Sequence, residues 1–346
     1  MLKKLIEYAA SKKALIAAAV ICGSLANTAQ AIPFEQIHNI YFFGDSLTDS
    51  GFYTGVYPSV PAGKADTYTT FGGFTWAQYV ANDISPSRYP LGPTLTNNCL
   101  SPFNPCQYQG VDYAAGGSTT NSTGFPPAPS PTALAPSLFQ QINYFLSSHA
   151  NTPIDPNDIF FIWSGANDLL TQLLTLPTDP TAAQLQLLTA ANTAALNISN
   201  DIAQLSSKGA KRFVVLSLPN IGTTPFINGL GNPNLPSGFQ AVSFSFNSFL
   251  NQYLGSLITR YGIKVLYFDT YTLLDNVIRS VQRGQPYKEG FDFVNYTMPA
   301  CGAVPTAIYC PSGTPNGYVF ADSLHPTDLA HRLLATELEA KILSWN

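Results

Sequence analysis

The chain has 346 residues, 45% of them hydrophobic and 10% charged, with 16 Lys+Arg against 20 Asp+Glu for a formal charge of −4. This excludes intrinsic disorder, which needs low hydrophobicity and high net charge, and leaves no basic stripe to neutralise nucleic-acid phosphates. The 25 Gly and 27 Pro exclude a coiled coil, while the length allows a substantial core in one large domain or two small ones.

Lys3, Lys4, Lys12 and Lys13 precede the apolar run Ala14–Ile21, and small residues follow up to Ala29-Gln30-Ala31. A charged start, a short apolar stretch and an A-x-A site predict a cleavable secretory signal over residues 1–31. The run is shorter than the roughly 20 residues that span a bilayer, and no later stretch is long and apolar enough for a transmembrane helix. Without four Lys and Glu7, the exported chain carries 12 basic and 19 acidic residues, a formal charge of −7. Cys22 leaves with the leader, so Cys99, Cys106, Cys301 and Cys310 remain. An even set in an oxidising compartment reads as disulfides, with three possible connectivities. The local pairs Cys99–Cys106 and Cys301–Cys310 are favoured because each closes a small loop containing Pro or Gly.

Beyond the leader, strands and helices alternate. His38–Phe43 (HNIYFF) reads as a strand stopped by Gly44-Asp45-Ser46, Phe74–Ile84 as a helix, and Gly110–Ala115 (GVDYAA) as a second strand. Residues 119–137 are rich in Ser, Thr and Pro and read as a loop near the pocket. Helix Leu138–Ser148, strand Asp158–Ser164, helix Thr181–Ser207 and strand Arg212–Leu218 come next. Helix Phe239–Tyr261, strand Lys264–Asp269 and helices Tyr271–Arg283 and Thr327–Ser344 complete the pattern. Continuous apolar strands between long helices predict an α/β fold with a mainly parallel sheet covered on both faces. No repeat or linker divides residues 32–346, which therefore read as one domain. In such sheets ligands gather beyond the carboxyl ends of the strands, so chemistry is expected just after Phe43, Ala115 and Ser164 and near the last helix.

Ser46 follows the first strand in FFGDSLTDSG. A serine hydroxyl needs a base to become a nucleophile, and the chain has four His. His38 leads into the wrong end of the first strand, His149 follows a helix, and His331 lies inside the last helix, where a solvated or core role is expected. His325 immediately precedes that helix, and Asp322, three residues before it, is placed to bond the imidazole and fix its tautomer. Acyl transfer also needs donors for an oxyanion. Gly116-Gly117, Asn167 in Trp163-Ser164-Gly165-Ala166-Asn167-Asp168, and the Ser46 N–H are the candidates. Taken singly, glycines also make turns and Asn-Asp also caps helices.

These blocks occur in order, each at a strand end: GDSL at Ser46, the glycine pair, G-x-N-D at Gly165–Asp168, and D-x-x-H at Asp322–His325. Together they resemble the GDSL, or SGNH, family of hydrolases from Ile40 to the last helix. The resemblance implies a flavodoxin-like three-layer α/β/α fold and ester hydrolysis with neither metal nor cofactor. It also implies Ser46 as nucleophile, His325 as general base, Asp322 as its orienter, and an oxyanion hole of the Ser46 amide, Gly117 and Asn167. Gly117 is preferred over Gly116 because it lies five residues after Asp112, where the family usually has Asn. The longer FGDSLTDSG block with Asp49, plus the leader, looks like the bacterial secreted branch of lysophospholipases A and glycerophospholipid–cholesterol acyltransferases. That likeness implies a secreted, periplasmic or extracellular enzyme acting on lipid acyl esters. The alternatives are a short-chain carboxylesterase, a polysaccharide deacetylase, or a binding protein on an inactivated hydrolase scaffold. The α/β-hydrolase elbow G-x-S-x-G occurs at no serine here. Aromatic residues, 18 Tyr and 22 Phe, are expected in the core before any cleft.

Overall fold

The computed structural model describes residues 37–52, 67–70, 72–89, 111–122, 135–302 and 316–345. The leader over 1–31 and Cys99, Cys106 and Cys310 lie outside the described residues. Four strands, β1 (Ile40–Gly44), β2 (Ile159–Trp163), β3 (Arg212–Leu216) and β4 (Lys264–Phe268), form a parallel sheet in the order β1-β2-β3-β4. Phe42 pairs with Phe161, Phe161 with Val214 and Val214 with Leu266. β1 and β2 are buried at every position, which is why their sequences are apolar without alternation. β4 is the edge strand and is more open.

The sequence predicts a full strand over Gly110–Ala115, whereas the structure has a single parallel bridge between Phe42 and Asp112. The segment still runs along the outer edge of β1: the Phe42 N–H donates to the Val111 carbonyl, and the N–H groups of Tyr113 and Ala115 donate to the carbonyls of Phe42 and Gly44. The buried Asp112 carboxylate accepts the Ala114 N–H at 3.0 Å. The ladder is interrupted at Gly44, whose N–H donates instead to the Gln141 side-chain carbonyl at 3.0 Å. Across the sheet the order is therefore 111–115, β1, β2, β3, β4. The chain steps to one side of β1 and then returns to the other, so the carboxyl end of β1 is a topological switch point, where open α/β sheets form their crevice.

The helices are α1 (Trp76–Ile84), α2 (Leu138–Ser148), α3 (Ala166–Leu170), α4 (Pro180–Ser207), α5 (Pro225–Gly229), α6 (Leu235–Tyr261), α7 (Thr270–Gln282) and α8 (Asp328–Leu343). α3 and α5, five residues each, are absent from the sequence-based pattern because so short a segment carries no period to read. α6 starts four residues before the predicted Phe239, since Pro236 occupies the first turn, where its missing N–H costs nothing.

Side chains explain the layering. Phe145 of α2 packs on Tyr41, Phe43 and Phe160, whereas Trp76 of α1 packs on Phe42, Phe161 and Trp163. Successive strand residues point to opposite faces, so α1 and α2 lie on opposite sides of the sheet. α4 packs against α2 and α6, and α8 packs against α1, giving the predicted α/β/α arrangement. Phe42, Phe43, Phe145, Phe160, Phe161, Phe213, Phe239 and Phe246 are all fully buried, so the aromatic content goes first into the core. A smaller cluster of Val277, Phe291, Phe293, Val319, Phe320 and Leu333 stands apart from the main one.

Candidate active site

The residues singled out from the sequence converge at the carboxyl end of β1. The strand stops at Gly44, where a Cβ would lie 2.2 Å from the Trp163 carbonyl oxygen, so only glycine lets the ends of β1 and β2 approach. A tight turn follows: Asp45 accepts the Leu47 N–H on its side chain and the N–H groups of Thr48 and Asp49 on its carbonyl. That turn places Ser46 at the strand tip, buried to 7% exposure.

His325 meets Ser46 from the other end of the chain. Its Nε2 lies 2.8 Å from Ser46 Oγ, and its Nδ1 lies 2.7 Å from Asp322 Oδ2. The other Asp322 oxygen accepts the N–H groups of Leu324 and His325, both at 2.7 Å. An ionised Asp322 accepts the Nδ1 proton, which leaves the Nε2 lone pair facing the serine hydroxyl. All three residues are buried. The position of His325 is set by α8: Thr327 caps that helix, and Asp328 accepts from the Phe74 N–H and the Tyr79 hydroxyl of the α1 region.

The turn after the edge segment is fastened at both ends. Asp49 Oδ2 accepts the Gly116 N–H at 2.7 Å, and Asn167 Nδ2 donates to the Ser118 carbonyl at 2.8 Å. Gly117 between them has φ +81°. The Gly116 N–H is thus engaged, whereas none of the described residues accepts from the N–H of Ser46 or Gly117. Asn167 has a second amide hydrogen to offer. It is carried into place by Gly165, whose φ of +117° starts α3 and whose Cβ would press at 2.7 Å on the Phe246 ring. The next residue, Asp168, accepts from both the N–H and the hydroxyl of Thr120.

Electrostatically the site rests on buried carboxyls. Burial pushes Asp45 up to about 7 against the opposing Leu47 N–H, and it does the same to Asp49 against the N–H groups of Phe52, Gly51 and Gly116. Burial also raises Asp112 and takes Asp168 to about 6. Asp45 Oδ2 is buried and has no hydrogen-bond partner among the described residues.

The other histidines stay outside this constellation. His38 pairs with Asp155 on the surface, and His149 stacks on Phe145. His331 is fully buried and kept neutral by burial at about 3, with its Nδ1 accepting the Trp76 N–H, so of the solvated and core roles expected of it the structure has the core one. Tyr68 is a residue the sequence did not suggest. Its ring centroid lies 4.8 Å from that of His325, and a Cβ on Gly116 would fall 2.1 Å from its hydroxyl oxygen. It therefore wedges between the imidazole and the glycine turn. No motif marks it, because it comes from an irregular segment with no periodic pattern.

Of the four cysteines only Cys301 is among the described residues, and it is disulfide-bonded. Among the described residues no helix is long and apolar enough to cross a membrane, and no group of three His, Cys, Asp or Glu could hold a metal ion.

The family model described as "GDSL-like Lipase/Acylhydrolase" matches residues 40–338. A GDSL esterase/lipase of Arabidopsis thaliana is 26% identical over 346 residues, covering 89% of this chain and 88% of the relative. Esterase EstA of Pseudomonas aeruginosa is 28% identical over 344 residues, covering 92% of this chain. The chain spans about half the length of EstA, 49%. A solved structure titled as a gut microbial diltiazem-metabolizing enzyme aligns with TM-score 0.46 at 14% identity, over 90% of this chain and 49% of that one.

Proposed function

The chain belongs to the GDSL-like lipase/acylhydrolase family, which makes it an ester hydrolase, and from that premise we propose that it cleaves acyl esters of lipids through Ser46, His325 and Asp322. The observation that carries this reading is the unbroken hydrogen-bonded line from Ser46 Oγ through the imidazole to the Asp322 carboxylate.

The reaction runs in two steps. Ser46 Oγ attacks the ester carbonyl carbon while its proton passes to His325 Nε2, and Asp322 stabilises the imidazolium that forms. The negative charge on the carbonyl oxygen is met by the N–H groups of Ser46 and Gly117 and by the second amide hydrogen of Asn167. Collapse breaks the bond to the alcohol oxygen, which takes the proton from Nε2 and leaves. Water, or a second alcohol in a transfer reaction, gives a proton to Nε2 and attacks the acyl-enzyme, and Ser46 recovers its proton on release of the product. Residues 1–31 direct the enzyme out of the cell, and residues 32–346 form one hydrolase domain. Lysophospholipid is the leading substrate, by resemblance to the secreted lipolytic branch.

Ser46→Ala should abolish turnover with an unchanged circular dichroism spectrum, and Asp322→Ala should cost less than Ser46→Ala because members of a triad act non-additively. Fatty-acid release from lysophospholipid, diacyl phospholipid and short-chain esters, measured side by side, tests the substrate. Full activity in Ser46→Ala would refute the mechanism, and a flat profile across the panel would refute the lipid assignment.

A further inference from the structure

Protein interiors leave few voids larger than a water molecule, yet one opens directly beside the triad. A partly enclosed cavity of about 100 Å³ runs from Ser46, Asn167 and His325 into the gap between the main core and the smaller apolar cluster. Val277, Phe293, Val319, Phe320 and Leu333, five of the six members of that cluster, form its wall, and Leu334 closes it from the main core. Away from the triad, the polar side chains in the wall besides Asp45 are Thr224 and Thr270, and both hydroxyls already donate to backbone carbonyls, of Ile221 and Ser217. The cavity thus has one polar end, made of the reacting groups, and an apolar shaft.

We propose that this shaft is the acyl site and that Leu333 and Val277 set the length of acyl chain the enzyme prefers, an inference that rests on Ser46 being the nucleophile. The acyl group must stay on Ser46 while alcohol departs and water arrives, so the enclosed side suits the group retained and the open side the groups exchanged. A sugar ring in the shaft would leave its hydroxyls without partners, which costs far more than leaving them in water. An apolar cavity of about 150 Å³ holds benzene; scaled to 100 Å³, the shaft takes on the order of four carbons, which favours the short-chain carboxylesterase alternative over lysophospholipid as the substrate.

The test is kcat/KM for p-nitrophenyl esters from acetate to dodecanoate, with the alcohol held constant. Each methylene buried on the way to the transition state is worth about three- to fourfold, so the hexanoate-to-acetate ratio in the unmodified chain should be on the order of 100. Leu333→Phe fills the shaft and should bring that ratio below about 5. Leu333→Ala lengthens the shaft and should move the optimum to longer chains, and it keeps the test open if the larger residue prevents folding. A ratio unchanged in both variants overturns the proposal. A second series, acetates of lengthening alcohols, is run beside it, and a loss in the variants confined to that series also overturns the proposal, since it would make the shaft an alcohol site. If the unmodified chain neither hydrolyses any ester nor is labelled at Ser46 by a fluorophosphonate, the underlying enzyme reading falls instead, and the acyl site with it.

Discussion

Asp45 is a carboxyl that folding buries at a cost. One oxygen accepts the Leu47 N–H at 3.0 Å, the other has no partner among the described residues, and burial lifts the group from its ordinary 3.8 to about 7. The sign follows from proton counting. Between pH 4 and 7 the folded chain holds a proton that the unfolded chain has released, so stability falls as pH rises through that window and levels off above it. The shift of about three pH units corresponds to roughly 4 kcal/mol. In Asp45→Asn the side chain keeps the acceptor for Leu47 and loses the charge, with an amide N–H replacing the carboxyl O–H of the protonated state. The variant should match the unmodified protein near pH 4 and exceed it by up to about 4 kcal/mol at pH 8. Urea unfolding at pH 4, 5, 6, 7 and 8 measures the difference, which should climb by about 1.4 kcal/mol per pH unit inside the window. A difference that stays constant from pH 4 to 8 would show that Asp45 does not titrate on folding, and the reasoning fails.

Two further outcomes follow from the site. Tyr68→Leu removes the ring packed against His325 and should lower kcat by about tenfold to a hundredfold with a smaller change in KM, because the imidazole loses its fixed angle; Tyr68→Phe, which keeps the ring, should recover most of it, and equal losses in both would contradict a positioning role. Gly165→Ala forces a side chain onto a backbone at φ +117° and into the Phe246 ring. Strain of about 1–3 kcal/mol plus the steric clash should lower the melting temperature by several degrees and displace Asn167, so kcat should fall as well; an unchanged melting temperature would refute the steric account.

What was legible in the sequence is what local chemistry writes there. The runs HNIYFF, DIFFIWS and RFVVLSL become strands because residues buried on both faces must all be apolar, and the long helices declare themselves by length. Ser46 and the Asp322–His325 pair stand out because each sits in a short turn whose composition serves that turn. Gly110–Ala115 reads as a strand by the same rule, but the Gly44 N–H that would complete its ladder donates to the side chain of Gln141, a partner no local pattern reveals. Gly116 and Gly117 look alike in sequence, and the carboxylate of Asp49, distant along the chain, distinguishes them by engaging the first. Tyr68 and the shaft beneath Leu333 belong to neighbours that meet only through tertiary packing, and no spacing along the chain encodes them.

The bond between Ser46 and His325 joins residues 279 positions apart. His325 immediately precedes α8, which is fastened to the α1 region through Asp328, Phe74 and Tyr79. Under the proposed mechanism, a chain in which α8 is not docked on α1 holds an inert alcohol, however well its sheet has formed.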